Sequence, residues 1–198
     1  MVVDSLKSLS CLFLLIGGII ISSSFFPQIL INITIYLGQV ERQNGGGKTM
    51  SIIIRIATEN DVPRIKQLLQ RAKLNKEGIE KNYEMFLVVE ENQSEKIVAT
   101  AGIEQFGPSS EIGFLRSLVI ESESWRSMIG LDLMIIIRQF AKQKGCKELY
   151  LLTNPVSRPF FEHLQFESID YKEVPKEIRN SKHFKQTYQH DVLIMRGK

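Results

Sequence analysis

Charge is what this chain first lacks. From Leu9 to Gly38 there is no Asp, Glu, Lys or Arg. Elsewhere Lys and Arg are scattered, with no run of five or six, so nothing points to nucleic acid as a partner. Cysteine is scarce too. Cys11 and Cys146 lie far apart and form neither a disulfide framework nor a CxxC site, so a reducing compartment is the default. The three histidines, His163, His183 and His190, have no HExxH-type spacing, so no metal site is expected. Glycine is sparse where a phosphate-gripping loop would need it. The stretch Trp125–Gly130, between a strand-like and a helix-like run, holds only Gly130.

What is present falls into two parts. The apolar stretch 9–38 exceeds the roughly 20 residues that a spanning helix needs. Pro27 interrupts it, and no convincing small-residue cleavage site follows. Gly45–Gly47 then make a flexible joint ahead of Met50. Two readings of residues 1–49 stay open. In one, Met50 is the native start, because three glycine codons two codons before a methionine codon suit a purine-rich ribosome-binding sequence. In the other, the leader is a membrane segment, with membrane contact only if residues 9–38 are translated and inserted. A peptide from residues 1–49 in the natural protein would exclude the first.

Residues 50–198 read as one α/β domain of ordinary composition. Strands are expected at 51–57, 86–92, 97–107, 111–121, 147–153, 166–174 and 191–197, from short β-branched and aromatic runs between turn residues. The middle ones form an antiparallel meander. Thr58 and Asp61 supply a capping signal for a helix whose Val62, Ile65, Leu69 and Ala72 share one face. A long helix is expected from about Ile129 to Lys144, striped by Leu133, Ile137, Phe140 and Ala141 and closed by Gly145. Shorter helices are expected near 78–85, 157–166 and 175–188. The expected fold is therefore a mixed, mostly antiparallel central sheet flanked by helices, preceded by a hydrophobic N-terminal segment.

The opening strand and helix "IIIRIATENDVPRIKQLL", the segment "FLRSLVIESESWRSMIGLDLMIIIRQFAKQKG" and the late "NPVSRPFFEHLQF" resemble, in order, the motifs of the GNAT superfamily of acetyl-CoA-dependent N-acyltransferases. The combination of "LRSL", "ELYLLT", "FFEHLQF" and "EVPKEIRNSKHF" is similar to the branch holding amino-acid N-acetyltransferases and arsenic-resistance-associated acetyltransferases. The resemblance implies acetyl-CoA as co-substrate, a small-molecule amine as acceptor, a cytoplasmic domain and a homodimer as a common state. It places the coenzyme on the main chain of Ser117, Leu118 and Val119, on the amides of Arg126, Ser127, Met128, Ile129 and Gly130, and on Asn154. In the family's loop pattern, Trp125, Met128 and Gly130 fall at the three marked positions and only Gly130 matches; an alternative register uses Arg126 with a one-residue deletion. Phe161 stands where many members carry a tyrosine that can protonate the departing thiolate, and Gln165 replaces a usual glycine.

The chemistry asks for a neutral amine, and a lysine-like amine of pKa about 10.4 is only about one-thousandth neutral near pH 7.4. A general base recovers about 10²–10⁴-fold. Glu104, on "ATAGIEQF", is the candidate base, acting directly or through water; the plain alternative is an exposed strand carboxylate. Arg116 is the candidate partner of a substrate carboxylate through its forked donors, against a structural salt bridge. No side chain is placed for a covalent intermediate, and Cys146 reads as structural, so direct attack is expected. The rival is a catalytically weak acyl-CoA-binding or regulatory domain.

Overall fold

A computed structural model of the chain describes residues 15–16, 19–20, 36–43, 49–91, 94–188 and 191–198, with side chains from residue 52 onward except those of Ser124, Ser127 and Met128. Most of the apolar stretch 9–38 lies outside them. Among the described residues no helix is long and apolar enough to cross a membrane.

Besides a short antiparallel pair of Leu15–Ile16 with Ile19–Ile20, the strands are β1 (Tyr36–Gln43), β2 (Thr49–Ile56), β3 (Phe86–Glu91), β4 (Lys96–Phe106), β5 (Ile112–Ile120), β6 (Glu148–Thr153), β7 (Phe166–Ile169) and β8 (Leu193–Gly197). The helices are α1 (Val62–Arg71), α2 (Ile79–Asn82), α3 (Glu123–Gln143), α4 (Arg158–His163), α5 (Lys176–Asn180) and α6 (Lys182–Thr187). One sheet of eight strands runs β1-β2-β3-β4-β5-β6-β8-β7. Each neighbouring pair is antiparallel except β5 and β6, which are parallel. This is the mixed, mostly antiparallel sheet expected. The boundary placed at 49/50 falls at the start of β2, and β1 adds an edge strand ahead of it.

Helices cover both faces, which is why 86–89 reads as an unbroken apolar run rather than an alternating one. Phe86 and Val88 face α1 with Ile65 and Leu69, while Leu87 and Val89 face α3 with Ile129, Leu133 and Ile137. The ladder places Phe86 opposite Gly102, and Gly102 opposite Arg116, so these residues share the α1 face. Further along that face Phe114 and Tyr150 pack under α5 and α6, against Ile178 and Phe184.

The capping signal ahead of α1 is real. The Thr58 amide donates to Asp61 Oδ2 at 2.8 Å and its hydroxyl at 2.9 Å. Asp61 is fully buried and also accepts from Arg55 at 2.6 and 3.0 Å. Ala72, expected on the buried face, is the exposed C-cap, and Leu68 takes its place in the core. At the far end of α3, Cys146 donates to the Ala141 carbonyl at 2.9 Å and Gly145 to Lys142 at 3.0 Å. Gly145 has φ of 93°, the left-handed stop expected.

The start of α3 is a correction. It begins at Glu123, not near Ile129, with Ser122 as N-cap accepting from the Trp125 amide at 3.3 Å. Residues 125–130 are helix, not loop.

Candidate active site

β5 and β6 pair only from Ile112, Gly113 and Phe114 to Glu148, Leu149 and Tyr150. Beyond that point the strands part. Their neighbouring ladders hold them apart, β5 on β4 and β6 on β8. The gap opens into a cavity of about 960 Å³ lined by both strand ends, the first turns of α3, α4 and residues of α6. A parallel pair that separates leaves main-chain N–H and C=O groups facing the gap without ladder partners, and such groups need a partner when water is excluded.

β5 is also kinked on its other side. Thr100 opposes Val119 and Gly102 opposes Arg116, so one residue of β4 faces both Ser117 and Leu118. Ser117 carries φ of 57°, a left-handed conformation that costs a residue with a Cβ. A β-bulge of this kind re-aims the backbone beside it. Ser117, Leu118 and Val119 all line the cavity, and the buried Ser117 hydroxyl has no hydrogen-bond partner.

The amides of 126–130 are placed differently from expectation. The Arg126 amide donates to the Ser122 carbonyl at 2.9 Å, so this segment sits within the helix ladder rather than around an anion. What α3 turns toward the cavity is its N-terminal end, with the positive end of its dipole. Arg126 lines the cavity, but its guanidinium is hydrogen-bonded to Glu123. Gly130 lines it too, in a helical conformation where a Cβ would meet nothing closer than 3.5 Å. Its value there is the smooth wall, not an unusual φ. The Ile129 side chain is wholly in the core. The side chains of Ser127 and Met128 lie outside the described residues, and with them any blocking of the cavity by Met128.

Asn154 lines the cavity and caps the turn behind it, its Oδ1 accepting from the Ser157 amide at 2.9 Å. The turn role and the wall role hold together. Phe161 is buried on the cavity wall, edge-on to Phe166 with centroids 5.9 Å apart. Cys146 is a buried free thiol whose pKa burial pushes up, which fits packing rather than reaction. Among the described residues no three or more His, Cys, Asp or Glu side chains gather around a metal-sized point.

Glu104 and Arg116 share the α1 face, Oε2 standing 4.0 Å from the guanidinium. Arg116 lines the cavity; Glu104 is not on its wall. Arg116 also donates to the Glu77 carbonyl at 2.9 Å and lies over the Phe86 ring, 5.9 Å from its centroid. Burial pushes the Glu104 pKa up, and Arg116 pulls it partly back. Burial also lowers the Arg116 pKa, and Glu104 and Glu77 oppose this. Glu104 Oε2 and Arg116 Nε are both buried without hydrogen-bond partners.

Sequence reasoning missed His183. It sits on α6 at the cavity wall, its ring 5.6 Å from that of Phe114. Burial first, and the Arg116 charge second, push its pKa down to about 4, so it is neutral at physiological pH. Nothing in "SKHFKQ" marks it, because it enters the site only when Phe184 docks α6 against the sheet. The apolar rim was equally invisible. Leu74, Val156 and Phe160, all exposed, edge the same opening.

Comparison with known proteins bears on the fold. The Acetyltransferase (GNAT) family profile matches residues 35–166. The uncharacterized protein YwlB of Bacillus subtilis is 29% identical over 146 residues, covering 73% of this chain and 95% of that protein. N-acetylglutamate synthase from Neisseria gonorrhoeae, complexed with coenzyme A and N-acetyl-glutamate, superposes with a TM-score of 0.61 at 20% identity. That match covers 74% of this chain, which spans only 34% of the synthase. Rv2747 from Mycobacterium tuberculosis, in complex with CoA, matches with a TM-score of 0.59 at 19% identity, over 73% of this chain and 97% of its own.

Proposed function

Because the chain belongs to the acetyltransferase (GNAT) family, we propose that it moves an acetyl group from acetyl-CoA to the primary amine of a small amino-acid-like substrate, by direct attack within a ternary complex. The observation that carries this is the parting of β5 from β6 after Phe114 and Tyr150, beside the bulge at Ser117. An extended thioester arm laid in that gap completes the missing ladder with the main chain of Ser117, Leu118 and Val119. The diphosphate goes to the N-terminal end of α3, where Arg126 adds a charge-assisted bond worth about 1.5–3 kcal/mol once it exchanges Glu123 for phosphate. Asn154 closes the far side of the arm.

The acceptor enters from the α1 face. Arg116 takes its carboxylate, and Glu104 stands behind Arg116. An acceptor with a carboxylate beside its amine suits this wall, and the ligand named with the Neisseria synthase, N-acetyl-glutamate, is an acylated molecule of that kind. The narrower relationship to amino-acid and arsenic-resistance-associated acetyltransferases belongs to the same proposal. If the leader anchors the protein, the domain faces the cytoplasm, where acetyl-CoA is available.

A second reading has its own support. Glu123 puts a carboxylate at the helix end meant for a diphosphate and already holds Arg126. Phe161 brings no acid for the leaving thiolate, although a thiolate with a conjugate-acid pKa of about 8.5 leaves unaided. The second reading is an acyl-CoA-binding or regulatory domain with little turnover. Isothermal titration with acetyl-CoA, followed by thiol release against an amine panel, separates the two. Binding with release supports the transferase, binding without release supports the second reading, and no binding refutes both.

A further inference from the structure

We propose that His183 on α6 accepts the proton of the acceptor amine while Arg116 holds the acceptor's carboxylate, and that Glu104 positions Arg116 rather than touching the reacting nitrogen. This rests on the acyl-transfer reading. Four ionisable side chains line the cavity among the described residues: Arg116, Glu123, Arg126 and His183. Glu123 and Arg126 stand together at the α3 end, bonded to each other. Arg116 is a permanent cation and cannot take a proton. His183 is left as the acceptor. Glu104 is excluded as a direct acceptor by position, since it is off the cavity wall with its Oε2 buried against Arg116, and a relay from it through water would show as a displaced pH profile in Glu104→Gln.

The imidazole is held for such a task. Its ring leans on Phe114, two residues before Arg116 on the same face of β5. The next residue, Phe184, is locked in the core. Lys182, on its other side, pairs with Glu77, whose carbonyl already receives Arg116. The charged groups around His183 are therefore Arg116 and Glu104 from the sheet, Glu77 from the turn before α2, and Lys182 on α6 itself. Its Nδ1 is buried without a hydrogen-bond partner, as is Arg116 Nε. Unpartnered polar atoms on side chains of one cavity wall are costly in a finished protein core and cluster where a ligand completes the set. The low basicity of free His183 also keeps it unprotonated at neutral pH, and a bound carboxylate offsets the Arg116 charge that contributes to that low basicity.

The step balances. The amine nitrogen's lone pair forms the N–C bond at the thioester carbonyl, and the nitrogen becomes cationic. Its proton passes to the His183 imidazole. The tetrahedral carbon then expels the C–S electron pair as the thiolate of coenzyme A. The imidazolium returns the proton to solvent, and the thiolate takes one from solvent. Acetyl thioester and amine become acetamide and free thiol.

The test measures thiol release by the full chain with acetyl-CoA and a panel of amino acids and their carboxamides, from pH 6 to 9.5. His183→Gln should lower kcat/KM for the best acceptor about 100-fold or more, with the KM for acetyl-CoA unchanged. Added imidazole should restore part of the rate of His183→Ala, which a purely structural role would not allow. Glu104→Gln should raise the acceptor KM while leaving the pH profile of kcat in place. In the wild-type protein, the His183 NMR signal should shift when the amino acid binds and not with its carboxamide, a readout that holds even if the variants fail to fold. Normal turnover by His183→Gln, or an NMR signal indifferent to the acceptor, overturns this role alone. A wild type that binds acetyl-CoA but releases no thiol with any amine overturns the transfer reading and this role together.

Discussion

Replacing Gly102 by alanine tests how the substrate side of the sheet is built. A Cβ at Gly102 would lie 2.6, 2.7 and 2.8 Å from Cε1, Cζ and Cδ1 of Phe86. That ring is directly opposite in the ladder, is 1% exposed, and packs among Ile65, Leu69 and Ile79. It has nowhere to swing, so overpacking costs about 1–3 kcal/mol. Alanine regains about 0.5–1 kcal/mol over glycine in a strand, leaving a net loss of about 0–2.5 kcal/mol. For a domain of this size that lowers the melting midpoint by up to about 10 °C. Arg116 lies over the same ring, so the acceptor KM should rise with it while coenzyme binding holds. The assay is urea denaturation of Gly102→Ala, Phe86→Leu and the double variant. Because leucine vacates the space the new methyl needs, the double variant should be less destabilised than the sum by about 1 kcal/mol. Additivity within about 0.3–0.5 kcal/mol would refute the steric argument and with it the role given to this glycine.

Asp61→Asn should cost about 1.5–3 kcal/mol, because Arg55 loses its charge-assisted bonds to the buried carboxylate and keeps only its pair with Glu90, measured by urea denaturation near pH 7. Burial alone would raise the Asp61 pKa, but the bonds from Arg55 and Thr58 outweigh it and hold the carboxyl well below the usual range. Its stabilisation is thus present above the unfolded value of about 3.9 and lost as pH falls further; the variant should lack that acid limb. His183 acts in a higher window. Its folded pKa is pushed down to about 4 against about 6.5 unfolded, so the unfolded chain binds more protons in between and stability falls as pH drops from 6.5 toward 4. His183→Gln should flatten that stretch of the curve, and an unchanged slope would contradict the burial of this imidazole. In a Cys11→Ser background, Cys146 should resist iodoacetamide in the folded protein and react readily in urea, because it is 6% exposed with a raised pKa; rapid native labelling would show the region between α3 and β6 to be open.

Several elements could be read directly from residue order. Leu133, Ile137, Phe140 and Ala141 stripe α3 and are all buried, and Gly145 ends it as its neighbours imply. Thr58 and Asp61 cap the approach to α1 because both partners of that contact lie within one turn. The start of α3 was harder. Ser122 before Glu123 is a start signal, but a phosphate-loop register laid over 125–130 competes with it, and "ESESWRS" has too few apolar residues for periodicity to arbitrate. Arg116 could be singled out from its strand, whereas Glu104, equally suggestive in sequence, is held behind it off the cavity wall.

Residue order by itself therefore determined the strands and helices after residue 50, apart from where α3 begins, and the family's succession of motifs, because each depends on neighbours a few positions apart. Only the tertiary structure decided where β5 leaves β6, that the strand kinks at Ser117, and that His183 shares a cavity wall with Arg116. Those facts arise from how segments distant in sequence pack across one sheet. The docking of Phe184 against Phe114 and the splay of two strands pulled by different neighbours have no periodic trace in the chain.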